Sequence, residues 1–172
     1  ETEEFIQFAA IATVGDVMDL KDENRILVKE GLVRIRDTEN EGLKALLRVN
    51  NLEDREISAY HIGFIIGPCM NASGRLSTAK RALNLLLTKD PKEASVLAED
   101  LKALNDSRKD MTAKGVEQAV RLVENTRLKN DRVLVIYLPD CHESLAGIIA
   151  GRIRERYTRP TFVLTKAEEG VK

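Results

Sequence analysis

A single carboxylate near the end of the first helical pattern is the first candidate for metal chemistry. Asp16 lies in the stretch 12–20, ATVGDVMDL. Carboxylate oxygens are the ligands that Mg²⁺ and Mn²⁺ prefer in proteins. The apolar neighbours Val14 and Val17 predict that Asp16 is half-buried, and a half-buried carboxylate needs a partner. An ordinary helix end or turn also contains such an aspartate, so both interpretations stay open at this point.

The stretch 67–76, GPCMNASGRL, is the second candidate because it places turn-forming and charged residues between two apolar segments. Its polar part consists of Asn71, Gly74 and Arg75. Glycine allows backbone conformations that turn N–H groups toward an anion, and the start of the helical pattern that follows favours negative charge. An arginine can hold a phosphate with two parallel hydrogen bonds. The stretch therefore predicts either a phosphate-binding loop or a plain turn.

His142 lies between a predicted strand and a predicted helix. Ligand sites of α/β folds form at the carboxyl ends of parallel strands, and a helix start with Ser144 as its expected cap follows at once. His142 is therefore a candidate phosphate contact, although a surface loop histidine fits the same position. Gly147 and Gly151 lie four residues apart, and we expect them to let this helix pack closely on a sheet.

Helical periodicity dominates the first half of the chain, and these elements must position the first two candidates. Apolar residues recur there at steps of three and four, which is typical of helices with one buried face. We expect helices over 3–15, from residue 22 onward, and over 41–48, 55–66 and 78–87. Residues 57–66 also fit a strand, because their apolar residues are nearly continuous.

A long helical pattern follows, from Pro91 to about Asn125, with Asp90 as its expected cap. One helix of this length spans roughly 50 Å, and a long helix with so many charged faces usually bridges two domains. Two helices broken near Gly115 are the alternative.

The last part of the chain has the pattern of a βαβ unit. The run 132–138 is apolar and rich in β-branched residues, which predicts a strand buried on both faces. A helix over 144–157 and a second strand over 160–165 follow, and strands joined in this way are parallel. We therefore predict an α/β fold with a mostly helical first part.

Composition is that of a globular chain and excludes several function classes. The chain has 172 residues, of which 43% are hydrophobic and 32% charged, and its formal net charge is −1. The hydrophobic fraction excludes a disordered chain, and the net charge excludes a nucleic-acid binder that is basic over its whole surface. No apolar run has transmembrane length. Cys69 and Cys141 match no metal spacing and favour a reducing, cytoplasmic setting. Because the chain begins at Glu1 in a helical pattern and ends just after a strand, we expect it to be an internal fragment of a longer protein.

Five motifs in order along the chain resemble the RecJ family of single-strand-specific exonucleases, in the DHH phosphoesterase superfamily. The resemblance covers nearly the whole chain. The matching motifs, with x for any residue, are AxxTVxDVMxL at 10–20, ENRILV at 23–28, GPxxNAxGRL at 67–76, HExxxGIIAGRI at 142–153 and RPTFVL at 159–164.

The resemblance implies a metal-dependent enzyme that hydrolyses single-stranded DNA from the 5′ end in DNA repair and recombination. It implies two Mn²⁺ or Mg²⁺ ions that activate water and neutralise the phosphate. The implied organisation is the C-terminal part of a DHH catalytic domain over 1–90, a long connecting helix over 91–126, and the start of a DHHA1-type domain over 127–172. Single-strand-binding protein and a helicase are its candidate protein partners, and no membrane is implied.

The resemblance also implies roles for individual residues. Asp16 corresponds to a metal ligand of the family, and Asn71, Gly74 and Arg75 to the motif that approaches the phosphate. His142 corresponds to a histidine that helps to hold the DNA.

The departures from the family pattern are as informative as the matches. The string DHH does not occur, an upstream Asp-x-Asp is missing, and so is the Gly-Ser-x-Arg phosphate motif. We therefore expect the isolated chain to be inactive as a nuclease. Cys69 stands where many relatives have a basic residue, so we expect phosphate binding by this stretch to differ from theirs.

Three other functions stay open for the same residues. The first is a DHH-type phosphodiesterase that acts on short oligonucleotides or cyclic dinucleotides. The second is a scaffold that keeps the fold without its metals. The third is a plain nucleic-acid-binding module, which a net charge of −1 does not support.

Overall fold

A computed structural model of the chain describes residues 2–76, 78–167 and 170–172. The chain divides into two compact units, residues 1–105 and residues 106–172, which we call the first and the second unit. Most described residues are helical, and two short strands lie in the second unit. Among the described residues, no helix is both long enough and apolar enough to cross a membrane.

Helices are the only regular secondary structure in the described part of the first unit. Its helices are α1 (Thr2–Gly15), α2 (Asp22–Arg36), α3 (Glu41–Val49), α4 (Ala59–His61), a π-helical turn (Ile62–Ile66), α5 (Gly67–Leu76), α6 (Lys80–Leu87) and the first part of α7 (Pro91–Asn125).

Close helix contacts and one buried polar pair hold α1 in place. A Cβ added to Gly31 of α2 would lie 2.3 Å from the Cβ of Ala10, so a side chain here would separate the two helices. The hydroxyl of Thr38 donates a buried hydrogen bond of 2.6 Å to Oε1 of Gln7. This bond satisfies both polar groups inside the unit. Helix α1 is thereby fixed against α2 and the segment that follows it.

The segment 59–76 is helical throughout, which corrects the prediction for 67–76. That stretch is helix α5, not a loop or a turn, and the strand alternative for 57–66 is also wrong. In a regular helix the ring of Pro68 would collide with the carbonyl of Phe64 and leave it without a donor. The preceding turn is widened instead: the N–H of Gly67 donates to the carbonyl of Ile62, five residues back. The helix therefore continues through the proline.

Helix α7 is one uninterrupted helix of 35 residues, as the sequence predicts, and it is not broken at Gly115. Asp90 caps its start, because its Oδ1 accepts a 2.9 Å hydrogen bond from the N–H of Lys92. Pro91 occupies the first helical position, where its missing N–H costs no hydrogen bond.

The second unit contains the predicted βαβ arrangement. Strand β1 (Leu134–Tyr137) and strand β2 (Thr161–Leu164) are parallel, with Leu134 opposite Thr161, and α8 (Glu143–Tyr157) connects them. A short 3₁₀ turn at Arg127–Asn130 joins α7 to this unit. The parallel pairing confirms the prediction made from the strand–helix–strand pattern.

Burial of β1 on both faces is a wrong prediction. Leu134 and Ile136 are fully buried, whereas Val135 and Tyr137 are 49% and 48% exposed. The buried residues join a core with α7 and α8, so helices cover one face of the sheet in the described part of the chain. A continuous apolar run does not specify how many faces are covered, which explains the error.

The two glycines of α8 do not make the expected close contact with a sheet. A Cβ added to Gly147 or Gly151 would meet no heavy atom of the described residues within 4 Å. The close approach is made by Gly115 of α7, where an added Cβ would lie 2.5 Å from Cδ1 of Ile149. Helix α8 therefore packs on α7 through a glycine of the other helix.

The contact of α3 with α6 gives a stability prediction. A Cβ at Gly42 would lie 1.8 Å from the backbone oxygen of Leu85, and backbone cannot move aside as a side-chain end can. We expect Gly42→Ala to lower the free energy of unfolding by about 3 kcal/mol, measured by urea denaturation followed by circular dichroism.

The matched control is Gly147→Ala, which adds the same methyl group to a helix where nothing lies within 4 Å. We expect the free energy of unfolding of this variant to rise by up to about 1 kcal/mol, because alanine has a better helix propensity than glycine. Equal effects of the two substitutions would contradict the close approach at Gly42.

Candidate functional site

Asp16 and Asn71 line the same cavity in the first unit. Its volume is about 220 Å³, and both side chains are exposed. The expectation of a half-buried Asp16 is therefore wrong, because the chain leaves α1 at this point and carries the carboxylate to the surface. The remaining lining residues are apolar or small: Phe8, Ile11, Ala12, Gly15, Gly67, Met70 and Leu86.

The end of α1 fixes the backbone of Asp16. Val17 donates its N–H to the carbonyl of Val14 (3.1 Å), and Met18 donates to Thr13 (3.1 Å), which together form a Schellman motif. This motif requires a left-handed residue after the helix, and Val17 takes that position with φ of 56°. A β-branched residue in this conformation is strained, and such strain is found next to functional groups.

The position of Asp16 also has an electrostatic consequence. Its N–H donates to the carbonyl of Ala12 (2.9 Å), so it caps the carboxyl end of α1. The helix dipole places partial negative charge at that end, which disfavours an anionic side chain and favours a cation. A bound cation would relieve the repulsion between the carboxylate and the helix end.

Asn71, Gly74 and Arg75 share one exposed face of α5. They lie three and four residues apart, which brings them to the same side of a helix. The opposite side is buried and includes Cys69 and Ala72. The cluster is therefore a helix surface. Gly74 has an ordinary helical neighbourhood and contributes no left-handed backbone, contrary to the predicted cradle.

The electrostatics of this face also differ from the prediction. Helix α6 does begin after this stretch, as predicted, but Arg75 itself lies in the last turn of α5. A cation at a carboxyl helix end is stabilised by the helix dipole. The backbone at the carboxyl end of α5 opposes a phosphate, so on this helix only the Arg75 guanidinium and the Asn71 amide can attract one.

His142 is the N-cap of α8 in the second unit, a role that the sequence assigned to Ser144. Its Nδ1 accepts a 3.3 Å hydrogen bond from the N–H of Ser144 and lies 2.8 Å from the Ser144 hydroxyl. Because Nδ1 accepts from the backbone, the neutral ring has its proton on Nε2. That nitrogen is then a donor on an exposed side chain.

The carboxylate next to His142 is held in its ionised form. Lys172 donates a 2.9 Å hydrogen bond to Glu143, and this bond together with the positive charge keeps the pKa of Glu143 below its ordinary value. The start of α8 thus has a stable negative charge at its first residue, which suits the helix dipole. It also weakens the attraction of this helix start for a phosphate.

Neither cysteine has the surroundings of a nucleophile. Burial raises the pKa of the Cys141 thiol, so the thiolate is disfavoured. Cys69 is fully buried, and its sulfur accepts a 3.5 Å hydrogen bond from the amide of Asn105. Cys69 therefore belongs to the core of the first unit and points away from the exposed face of α5.

The donor set of the first unit fits part of a hard-cation site. The Asp16 carboxylate can supply an oxygen ligand of the kind that suits Mg²⁺ and Mn²⁺, and Asn71 lines the same cavity. Among residues 2–76, 78–167 and 170–172, no three His, Cys, Asp or Glu side chains converge on one point. Asp16 can therefore supply one ligand of a larger set.

Sequence reasoning missed the apolar wall of this cavity. Phe8 and Met70 line it beside the two polar residues. Their signal was present, since Phe8 lies eight residues before Asp16 on the same helix pattern and Met70 is the neighbour of Asn71. An apolar residue in a helix pattern is assigned to the core by default, so this signal was not separated from ordinary packing.

The strained turn beside Asp16 gives a second stability prediction. Val17 is 88% exposed, so its side chain adds little packing, while its left-handed backbone costs about 1 to 2 kcal/mol. We expect Val17→Gly to raise the free energy of unfolding by about 1 kcal/mol in thermal or urea denaturation. The control is Val33→Gly at an exposed valine inside α2. We expect this change to lower the free energy of unfolding by about several tenths of a kcal/mol, because glycine is unfavourable inside a helix. A loss of stability in both variants would refute the strain at Val17.

Comparison with known proteins places this geometry in context. No family model matches the chain. The chain is 38% identical over 172 residues to the single-stranded-DNA-specific exonuclease RecJ of Dickeya dadantii. The aligned region covers 98% of this chain and 30% of that protein. Two crystal structures of RecJ from Thermus thermophilus are also similar. The complex with Mg²⁺ has a TM-score of 0.85 and the complex with Mn²⁺ one of 0.84, both at 34% identity over 95% of this chain.

These matches confirm the resemblance drawn from the motifs. The chain spans about 30% of the length of the curated relative and about a quarter of each crystallised chain. Over nearly all of its residues, this chain is similar in sequence and in fold to one part of the RecJ single-stranded-DNA-specific exonucleases.

Proposed function

We propose that this chain is part of a RecJ-type exonuclease that hydrolyses the phosphodiester bonds of single-stranded DNA from the 5′ end. The observation that supports this most strongly is the 38% identity to a RecJ exonuclease over 98% of the chain. The cavity that Asp16 and Asn71 both line adds support, because these two residues of the matching motifs are far apart in sequence. Action in DNA repair and recombination in the cytoplasm follows from the same proposal.

The proposal includes a domain assignment. Residues 1–90 are the C-terminal part of a DHH catalytic domain, residues 91–126 the connecting helix, and residues 127–172 the first part of a DHHA1-type domain. The uninterrupted α7 and the parallel strand pair of the second unit support this division.

In this proposal the first unit positions the scissile phosphate and one metal ligand. Asp16 holds a divalent cation through its carboxylate, and the end of α1 favours a cation there. Bound Mn²⁺ or Mg²⁺ supplies an activated water and neutralises charge on the phosphate. Asn71 donates its amide N–H to a phosphate oxygen. Arg75, on the same face of α5, adds a guanidinium that can bind a second oxygen, with Gly74 leaving space beside it.

His142 acts in the second unit as a contact to the DNA strand. Because its Nδ1 is occupied by the Ser144 N–H, the donor that it offers to a phosphate is Nε2–H. The substrate partner is single-stranded DNA, and single-strand-binding protein or a helicase are the candidate protein partners. Nothing in the proposed mechanism involves a membrane.

The role of Asp16 is tested in the natural full-length protein. We expect Asp16→Asn to lower kcat on 5′-phosphorylated single-stranded DNA with Mn²⁺ by at least about 100-fold, because the amide is a neutral and weaker ligand. The control is Asp19→Asn, which removes an exposed carboxylate paired with Lys21 and should leave kcat unchanged. Unchanged activity in Asp16→Asn would remove Asp16 from the metal site.

The same assay separates the other functions. Duplex DNA and a dinucleotide are tested beside the single strand. Turnover of the dinucleotide alone would favour a phosphodiesterase for small substrates. Binding of single strands without turnover would favour a scaffold.

The isolated chain of 172 residues gives a separate prediction. We expect it to show no Mn²⁺-dependent hydrolysis of single-stranded DNA, because each hard cation needs about six oxygen ligands and Asp16 supplies one carboxylate. The measurement is release of labelled nucleotide, with the Asp16→Asn chain as the control for a contaminating nuclease. Hydrolysis by the natural sequence that the substitution abolishes would contradict the prediction.

A further inference from the structure

A groove in the second unit is not used by the proposed function. It lies between the second part of α7 and α8, has a volume of about 530 Å³, and all its lining residues belong to the second unit. We call it the basic groove. Its rim residues are Arg108, Lys109, Arg152 and Arg156.

The rim of the basic groove is strongly positive. The ten lining residues, all in the described part of the chain, include four cations and a single carboxylate, Glu117. That carboxylate is paired with Arg121, which is outside the lining. Arg152 and Arg156 lie one helical turn apart on α8 and are exposed, so both can turn toward a ligand.

Two of the four rim cations, Arg152 and Lys109, form weak ion pairs. Arg152 lies 3.9 Å from Glu155, and Lys109 lies 3.1 Å from Asp106, both at exposed positions. Exposed pairs of this kind contribute about 0 to 1 kcal/mol. A ligand with negative charge can therefore displace them at little cost.

The floor of the basic groove is aliphatic. Val116, Val120 and Ile148 are half-buried and rest on the core of the second unit. When a ligand removes the apolar surface of a concave site from water, the hydrophobic effect stabilises the complex. A ligand that fits both features has negative charges on its outside and aliphatic groups on one side.

An acidic peptide fits this combination better than a nucleic acid strand. Proteins that bind single strands stack bases on aromatic side chains, and none of the ten lining residues, all described, is aromatic. A peptide segment can place aliphatic side chains on the floor and carboxylates against both rims, as helices do in apolar grooves. We propose that the basic groove binds an acidic segment of a partner protein whose aliphatic side chains contact Val116, Val120 and Ile148.

The test uses the 172-residue chain and a fluorescent synthetic peptide that alternates aspartate with leucine. Its Kd is measured by fluorescence anisotropy at low ionic strength. We expect Arg152→Glu with Arg156→Glu to weaken binding at least about tenfold, because two attractive charges become repulsive. The matched control is Arg127→Glu with Arg132→Glu, the same charge change at two exposed arginines outside the groove, which should change Kd less than about twofold.

A second pair of measurements tests the floor. We expect Val116→Ser to weaken binding of the peptide, and we expect a peptide that alternates aspartate with serine to bind less tightly to the natural chain. Circular dichroism of each variant verifies that the fold is retained. Equal binding of both peptides would overturn the role of the floor.

Two outcomes would overturn the proposal as a whole. One is no binding of the aspartate–leucine peptide, or binding that the groove variant and its control weaken equally. The other is tight binding of a dT₂₀ oligonucleotide that the groove variant abolishes, with no binding of the peptide, which would make the groove a nucleic-acid site.

Discussion

The passage of the chain through Pro68 determines where the polar residues of the first unit lie. Proline removes a donor from the helix and its ring requires space, and a break in the helix would be the simple response. The π-helical turn before it provides the space instead, so α5 continues and keeps Asn71 on its surface beside the end of α1. One extra residue in a turn rotates all following residues by about 100° around the helix axis. The wide turn therefore sets which face of α5 meets Asp16.

Helix ends then give the polar residues their electrostatic character. Asp16 and Arg75 both lie at carboxyl ends, where the dipole opposes the first and stabilises the second. The cost at Asp16 is increased by the left-handed backbone of Val17 next to it. A chain selected for stability alone would place glycine after the helix and a neutral or basic residue at its cap. The two unfavourable choices lie on the adjacent residues Asp16 and Val17, and a cation bound to the Asp16 carboxylate would offset the first of them.

Periodic segments of this protein are predictable from sequence and locally ambiguous ones are not. The long α7 follows from 35 residues of consistent spacing and a capping Asp-Pro pair, and the parallel strands follow from the connection between them. The stretch 67–76 misleads because glycine, proline, asparagine and serine favour turns in isolation. Burial of Cys69, Ala72 and Ser73 against the core outweighs that local preference. The order of the motifs identifies Asp16 and Asn71 as parts of one family pattern. Only the three-dimensional fold shows that they line one cavity.

The half-covered sheet of the second unit has a practical consequence. Val135, Tyr137 and Phe162 expose apolar side chains on a sheet of two strands, and short sheets with open edges pair readily with other chains. The hydrogen bonds between Thr165 and Lys172 turn the chain back after β2 and occupy backbone groups that follow the strand, while the three side chains stay about half exposed in the described part of the chain. In concentrated solutions of this polypeptide, contacts between copies are therefore expected to form at these three side chains, which share one face of the sheet.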